Sequence, residues 1–548
     1  MKMKIDYKHI VLSALMTAGI ATGCDTDALH DLNINPQTVD EIDVHFLLTA
    51  AELGIASNGS SGDNRYIDWR TNIGLMSTAI QHLATTGDIS AAGMYYRHNE
   101  EICAAPFDMT YQDQLKNIAE ILKQTGEGGY AQGLYPNTQA AARVLRAWSF
   151  ARLTDFYGAI PYTEANRGLE QIFFPTYDNQ SSIYPDLLRE LEEAAGQFTT
   201  NSELDITFPN ADIIYQGDVA KWKRFAYSLM LRLAMRVSNV AEATLTDPYV
   251  AKAVAGGVFQ SNDDNVWIPM AIGPSQWTNQ NGISRAFRPG DGGNKNFLSK
   301  TMIDFLKGAN PNDASDDDPR LMVLSDGTGI WDANGWAPNE QDPVKQRGMP
   351  SGLFFDNQAA LLGVTNFLPD TTYARISPYM LDLDDPYMIM NYAEVEFLLA
   401  EAAERGIGGV TDAAAHYNAG VKAAMQMYGP YFENNDVSPS VSDAAVTAYL
   451  AAYPYGGGGV RGDESPLEQI GWQMWVSKFF NWWEAWSDWR RTGFPTLVEY
   501  TDDVNNVTGG KIPVRLRYPT AETVANPNFN QESKNNYTSP VWWDGGAE

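Results

Sequence analysis

The constraint that weighs most on the fold of this chain is a spacing. In five separate stretches, apolar and aromatic residues recur every three to four positions, which puts them on one side of an α-helix. Residues 138–157 carry Ala141, Val144, Leu145, Trp148 and Ala151 on one stripe and Phe150, Leu153 and Tyr157 on another. The predicted helix is apolar around most of its circumference and belongs inside the molecule, and Gly158 ends it. Residues 219–240 repeat the pattern with Trp222, Phe225, Leu229, Leu233 and Val237, and Asp218 stands where an N-cap belongs. Residues 388–405 follow with Tyr392, Val395, Leu399 and Ala402, and residues 411–428 with Tyr417, Val421, Ala424 and Tyr428, before a C-terminal Gly429. The sharpest start is Ser465-Pro466-Leu467-Glu468, with a cap serine, a proline at the first helical position and a glutamate at the third. The helix expected behind it runs to about Arg491, with Trp475, Phe479, Trp482, Trp486 and Trp489 on one stripe. An aromatic stripe at helical spacing reads as core.

Between these segments, residues 57–64, 263–296, 310–319, 326–342 and 455–463 are rich in Gly, Asn, Asp and Pro. Loops this long are uncommon in a compact domain unless they bind something. No sharp repeat, low-complexity tract or linker divides the chain. One large helical domain over residues 41–548, with elaborate loops, is the economical reading.

The N-terminus has a different logic. Lys2, Lys4 and Lys8 precede the apolar run from Ile10 to Ala21, which is too short to span a bilayer and suits a signal peptide. It closes on Ala21-Thr22-Gly23-Cys24, small residues before a cysteine that resemble a bacterial lipobox. Residues 1–23 are then a lipoprotein signal peptide, Cys24 is the acylated residue, and residues 24–40 form a tether. Asp25 and Asp27 resemble the surface-export signal of Bacteroidetes lipoproteins. Several acyl chains hold a protein on a membrane where one binds only reversibly. The formal charge of −30 repels nucleic acid and anionic membranes and argues against both as partners, which leaves the lipid as the membrane attachment. Of two cysteines, Cys103 is left without a partner and reads as a small buried hydrophobe.

Catalytic constellations are missing from the sequence. It contains no His-Glu-x-x-His, Cys-x-x-Cys, phosphate-binding Gly loop or Gly-x-Ser-x-Gly. Asp316-Asp317-Asp318 and Asp382, Asp384 and Asp385 are oxygen-rich enough to suggest a structural Ca²⁺, but they lack EF-hand spacing and read better as solvated loop acids. No metal or cofactor is expected.

Five blocks of the chain resemble the SusD/RagB family of nutrient-binding outer-membrane lipoproteins of Bacteroidetes. They are RLTDFYGAIPYTEA from Arg152 to Ala165, GDVAKWKRFA from Gly217 with LRLAMR from Leu231, DPRL from Asp318, YAEV from Tyr392 with AEA from Ala400, and EAWSDWRRTGFP from Glu484 to Pro495. Tyr227 departs from the usual Asn. The resemblance implies a mainly α fold, a tetratricopeptide-repeat-like scaffold with long loop-rich insertions. It also implies a lid on a TonB-dependent outer-membrane transporter that captures glycans, oligosaccharides or peptides. It makes Asp155, Gly158, Pro161, Glu164, Trp222, Arg232, Glu394, Glu401, Glu484, Trp486, Arg490 and Arg491 structural, with Glu394 and Glu401 held by Arg residues of neighbouring helices and Asp488 grouped with Arg490 and Arg491.

Ligand candidates are therefore loop aromatics, whose rings stack on sugar C–H faces. They are Trp69 beside Arg65 and Tyr66, Tyr95 and Tyr96 beside Arg97, Trp277 beside Gln276 and Asn279, and Trp331 and Trp336. The expected activity is capture of an oligosaccharide for delivery to the transporter, without catalysis. A peptide-binding member of the same family and a lipid-anchored glycoside hydrolase are the alternatives; the hydrolase needs two carboxylates across a cleft.

Overall fold

Helices that follow one another in the chain pack against one another, and this repeated pairing builds the scaffold. The structure is a computed structural model and describes residues 42–548 except 57–66, 88, 202, 274–278, 290–294, 333–334, 353–358, 361–362, 434, 436–439 and 501–504. The signal, Cys24 and Trp277 lie outside the described residues. Residues Val44–Glu548 form one unit.

The principal helices are α1 (Val44–Ala56), α2 (Lys116–Thr125), α3 (Pro136–Tyr157), α4 (Gln180–Gln197), α5 (Val219–Arg236), α6 (Asp247–Gly256), α7 (Tyr392–Arg405), α8 (Ala413–Gln426), α9 (Pro466–Ser477), α10 (Trp482–Thr492) and α11 (Thr520–Ala525). α1, α2 and α3 pack as a group, α3 lies on α4, α4 on α5 and α5 on α6. α5 also meets α7, which packs on α8 and α9, and α9 leads to α10. No helix here buries its stripe alone; stacking on neighbours does so, as in a helical repeat. Among the described residues, no helix is long and apolar enough to cross a membrane.

The end signals work as read. Asp218 caps α5 by accepting from the N–H groups of Ala220 at 2.9 Å and Lys221 at 3.1 Å. Ser465 caps α9 through the Glu468 N–H at 3.2 Å. Gly158 closes α3 at φ +83°, where a Cβ would strike the Arg515 guanidinium. Trp222 is wholly buried among Phe198, Phe208, Tyr215 and Phe225, and its Nε1 donates to Asp212 at 2.7 Å. Cys103 is buried with its Sγ 3.1 Å from the Tyr537 hydroxyl, and burial pushes its thiol up to about 11.

Several boundaries differ from the expectation. The segment read as one helix to Arg491 is two. α9 stops at Ser477, Phe480 takes φ +75°, and α10 begins at Trp482. The stripe survives the break because Trp475, Phe479, Trp482 and Trp486 all face the core at 2% exposure or less; periodicity records burial, not continuity. Residues 388–390 belong to β6 (Tyr387–Met390), which pairs antiparallel with β2 (Val266–Ile268), and α7 starts only after Asn391 caps it through the Glu394 N–H at 2.8 Å. α5 ends at Arg236, not near 240. Gly429 does not take the left-handed cap; with Pro430 next, it opens a short 3₁₀ turn, Gly429–Phe432. Residues 326–342 are a hairpin, β4 (Thr328–Asp332) against β5 (Gly335–Glu340), where an irregular loop was expected. A third antiparallel pair joins β1 (Leu83–Thr85) to β3 (Asn296–Leu298).

Candidate functional site

The family-motif acids meet in the helical interior. Arg232 of α5 grips Glu394 of α7 with Nε at 2.6 Å and Nη2 at 2.7 Å. One turn on, Arg236 reaches Glu484 at 2.6 Å and Asp488 at 3.3 Å in α10, and Asp155 of α3 at 3.5 Å. Lys478, in the break between α9 and α10, lies 3.1 Å from Glu394 and also pairs with Asp488. Arg491 donates to Glu401 at 2.6 Å, and Arg405 joins them at 2.9 Å. Burial opposes ionisation of Glu484 and Asp488, yet Arg232 and Arg236 around the first, and Lys478 and Arg236 around the second, hold both below the usual carboxylate range.

One expected pairing is corrected. Arg490 does not bind Asp488, because residues two apart on a helix face different ways. Its Nη1 donates to the carbonyls of Asp155 and Val514, each at 2.9 Å, and its guanidinium lies 3.5 Å over the Trp486 ring. Glu394 is paired with Arg232 and Lys478, and Glu401 with Arg491 and Arg405, so these two do not form the unpaired acid and base that glycoside hydrolysis needs. Trp486 Nε1 donates to the Pro513 carbonyl at 2.6 Å, and the Pro161 carbonyl accepts from Tyr111.

The candidate ligand aromatics do not converge as a group. Trp69 is half-buried against the main core. Tyr95 is 7% exposed and packs with Phe297 and Tyr373, with Arg97 lying 4.8 Å over its ring. Tyr96 is 2% exposed against Ala79 and Ile512. Both tyrosines are buried where helix Ala91–Tyr95 ends, with Tyr96 in a left-handed conformation at φ 54°. Trp331 and Trp336, by contrast, are brought together as directly opposed residues of the β4–β5 hairpin, on one face of it. Both are half-buried. The Trp336 indole lies across Gly329, where a Cβ would stand 2.6 Å from the ring, and its Nε1 donates to Asp326 at 2.6 Å.

Arg288, which the sequence did not single out, lies 5.9 Å from the Trp331 ring and donates to Asp382 at 2.9 Å. It links the hairpin to loop 382–385. There, Asp385 accepts the Asp382 N–H at 2.8 Å, and burial, reinforced by Asp382 and Asp384, pushes its carboxyl up to about 8. An indole pair beside a guanidinium and carboxyls offers stacking surface and hydrogen-bonding groups together. The Asn334-Gly335 dipeptide between the tryptophans is the sequence signal for such a turn. Arg288 has no such signal, because it reaches the hairpin from more than forty residues away.

The acids considered for Ca²⁺ are not uniformly the solvated loop acids expected, because Asp318 and Asp385 are each buried at 1% exposure by the packing around them, and several of the six have protein partners. Asp318 chelates Arg320 at 2.6 and 2.9 Å, Asp316 accepts from the Asn310 N–H and from Tyr453, and Asp382 takes Arg288 and Asn435. Among the described residues, no group of three His, Cys, Asp or Glu side chains is arranged to hold a metal.

Two cavities complete the picture. One of about 250 Å³ lies among α7, α9 and α10, walled by Ile470, Met474, Trp475, Trp489 and Phe494. A wider cleft of about 390 Å³ opens beside loop 161–175.

A family model for SusD-like proteins, described as starch-binding and associating with the outer membrane, matches residues 36–519. The chain belongs to the SusD-like family. A solved chitin-binding protein is 30% identical at a TM-score of 0.75, over 92% of this chain and all of that one. A SusD-like protein from Bacteroidetes is 28% identical at a TM-score of 0.74, over 92% of this chain and 100% of its own. A chitin-binding SusD homologue from Flavobacterium johnsoniae, at 22% identity and a TM-score of 0.68 over 92% of this chain and 99% of that one, shares the fold. No curated protein matches. The mainly helical, tetratricopeptide-like architecture is thus that of SusD-like structures.

Proposed function

We propose that this SusD-like protein is a lipid-anchored surface receptor that captures an oligosaccharide and hands it to a TonB-dependent outer-membrane transporter without cleaving it. The observation that carries the reading is the opposed Trp331–Trp336 pair with Arg288 at its edge. Membership in a family described as starch-binding, and likeness to a chitin-binding protein at 30% identity, support a glycan over a peptide. The domain limits follow the same reading: signal 1–23, lipidated tether 24–40, binding domain 41–548. Trp277 and Trp69 remain further platform candidates, Trp69 being half-buried against the main core as Trp331 is.

The test is calorimetry of residues 25–548 against chitin and starch oligosaccharides, with peptide mixtures alongside. A micromolar to millimolar binder is expected, on the order of −4 to −8 kcal/mol. Chromatography of the same sugars after incubation should find them intact; cleavage would replace this reading with the hydrolase. Binding of peptides alone would move the ligand class and leave the receptor role standing. For the anchor, metabolic labelling with a palmitate analogue should mark the wild type and be lost in Cys24→Ala.

A further inference from the structure

We propose that loop 161–175, with α11 beside it, is the face by which this protein docks on its transporter, receiving an apolar extracellular segment that carries a lysine or arginine. The proposal rests on the reading above that such a barrel partner exists.

The first observation is exposure. Leu169 is 84% exposed, Phe173 69%, Phe174 55% and, on α11, Val524 82%. Single apolar side chains on a surface are ordinary, but a group of large ones marks an interaction site. The two segments are neighbours. Asn526 donates to the Pro175 carbonyl at 3.0 Å, Asn528 to the Phe174 carbonyl at 2.6 Å, and Tyr177 to Glu522 at 2.7 Å.

The second observation is that the loop is held in place while its rings face water. Glu164 accepts the Thr176 N–H at 2.7 Å and its hydroxyl at 2.9 Å. Asn166 donates to the Tyr111 carbonyl at 2.9 Å, and Asp178 accepts the N–H groups of Tyr162 and Thr163 at 3.1 and 2.8 Å. A surface ordered before binding loses little entropy on association. The cleft of about 390 Å³ behind the loop is walled by Phe107, Tyr111, Pro161, Ile172 and Phe173, and gives a partner side chain a pocket to anchor in.

The third observation is charge. Asp108, Glu164 and Glu522 line the cleft, and Arg167, the one cation among its lining residues, is bridged to Glu170. Burial and the nearby Glu522 and Glu100 raise the Asp108 carboxyl, so this rim gains from an added cation. The same acids disfavour an anionic lipid surface. The exposed residues are Phe, Leu and Val, without the polar handles of the hairpin indoles, which favours a protein segment over a sugar.

The experiment expresses the full-length lipidated protein in its own cell envelope and purifies it in mild detergent. Wild type should bring down a barrel in near-equal amount. The triple variant Leu169→Ser, Phe173→Ser, Phe174→Ser should recover at least tenfold less barrel, with unchanged melting temperature and unchanged sugar binding. Should the triple variant melt early, a photo-crosslinking residue at 173 alone should still join the chain to the barrel, and no crosslink would overturn the proposal. Undiminished barrel recovery by a folded triple variant overturns the docking face and leaves the transporter reading intact. Loss of sugar binding with the barrel retained overturns it too, by making the cleft the ligand site. Failure of the wild type to recover any barrel overturns both.

Discussion

The helical interior and loop 161–175 treat charge and apolar surface in opposite ways. Around α5, five cations (Arg232, Arg236, Arg405, Lys478 and Arg491) meet the carboxyls of Asp155, Glu394, Glu401, Glu484 and Asp488, mostly out of water. On the loop, Leu169, Phe173 and Phe174 stand in water. A reader searching for catalysis is drawn to the first region, since buried acids with shifted ionisation mark many active sites. Here Glu401, Glu484 and Asp488 are held low by the cations around them, while burial raises Asp155 beside Arg236. In a binding protein, the exposed apolar residues are the more informative anomaly, because nothing in the fold requires them there.

The comparison can be broken most directly in the interior. Arg236→Ala leaves Glu484 and Asp488 short of a buried partner and should cost about 3–5 kcal/mol of stability in chemical denaturation. Trp222→Ala, which empties a wholly buried aromatic site, should cost a similar ~3–5 kcal/mol. If either costs under ~1 kcal/mol, the interior is looser than its geometry implies.

Acidity separates the regions next. Asp385 is raised to about 8 and Glu464 to about 7, both first by burial, so the folded state holds protons that the unfolded chain releases near pH 4. Their contribution is fully present below about pH 4 and fades as pH rises through 7 to 8. Glu484 and Asp488, held low, contribute in the opposite sense, and their share is lost in acid. Stability measured by urea titration should fall between pH 5 and 8, by the linkage of raised carboxyls. Asp385→Asn should flatten that slope, and an unchanged slope would show that Asp385 is not its source.

Smaller effects belong to the surface. Trp331→Ala and Trp336→Ala should each weaken sugar binding about tenfold, or roughly 1.4 kcal/mol. Normal binding by both would move the platform elsewhere, with Trp277 the next to test. Asp218→Ala removes the α5 cap and should cost about 1 kcal/mol. Phe173→Ser should stay within about 0.5 kcal/mol of wild type in stability, because its ring is already in water. A larger loss would mean that the loop is part of the core.

What could be read in advance follows from the range of the forces involved. Helix existence was legible, because the stripe of α3 or α5 is written within each segment. Helix ends were legible where a cap is local, as at Asp218 and Ser465, and illegible where a distant partner decides, as at the α9–α10 break, which seats Lys478 between Glu394 and Asp488. The hairpin was missed because Gly, Asn and Asp suggest a loop as readily as a turn, although Asn334-Gly335 favoured the turn. Of the candidate aromatics, Tyr95 and Tyr96 differ from Trp331 and Trp336 in nothing that composition reveals.

By itself the sequence determined the helical class, the core stripes, the local caps and the family, because each depends on residues close together in the chain or on short strings of them that resemble the family's. Only the tertiary structure decided which acids pair with which cations, which loop aromatics face inward, and where apolar side chains stay wet. Those outcomes depend on pairs such as Arg232 and Glu394, or Asp155 and Trp543, that lie 162 and 388 positions apart and meet only when the helices pack. Burial and ionic pairing are properties of that meeting, and no local pattern encodes them.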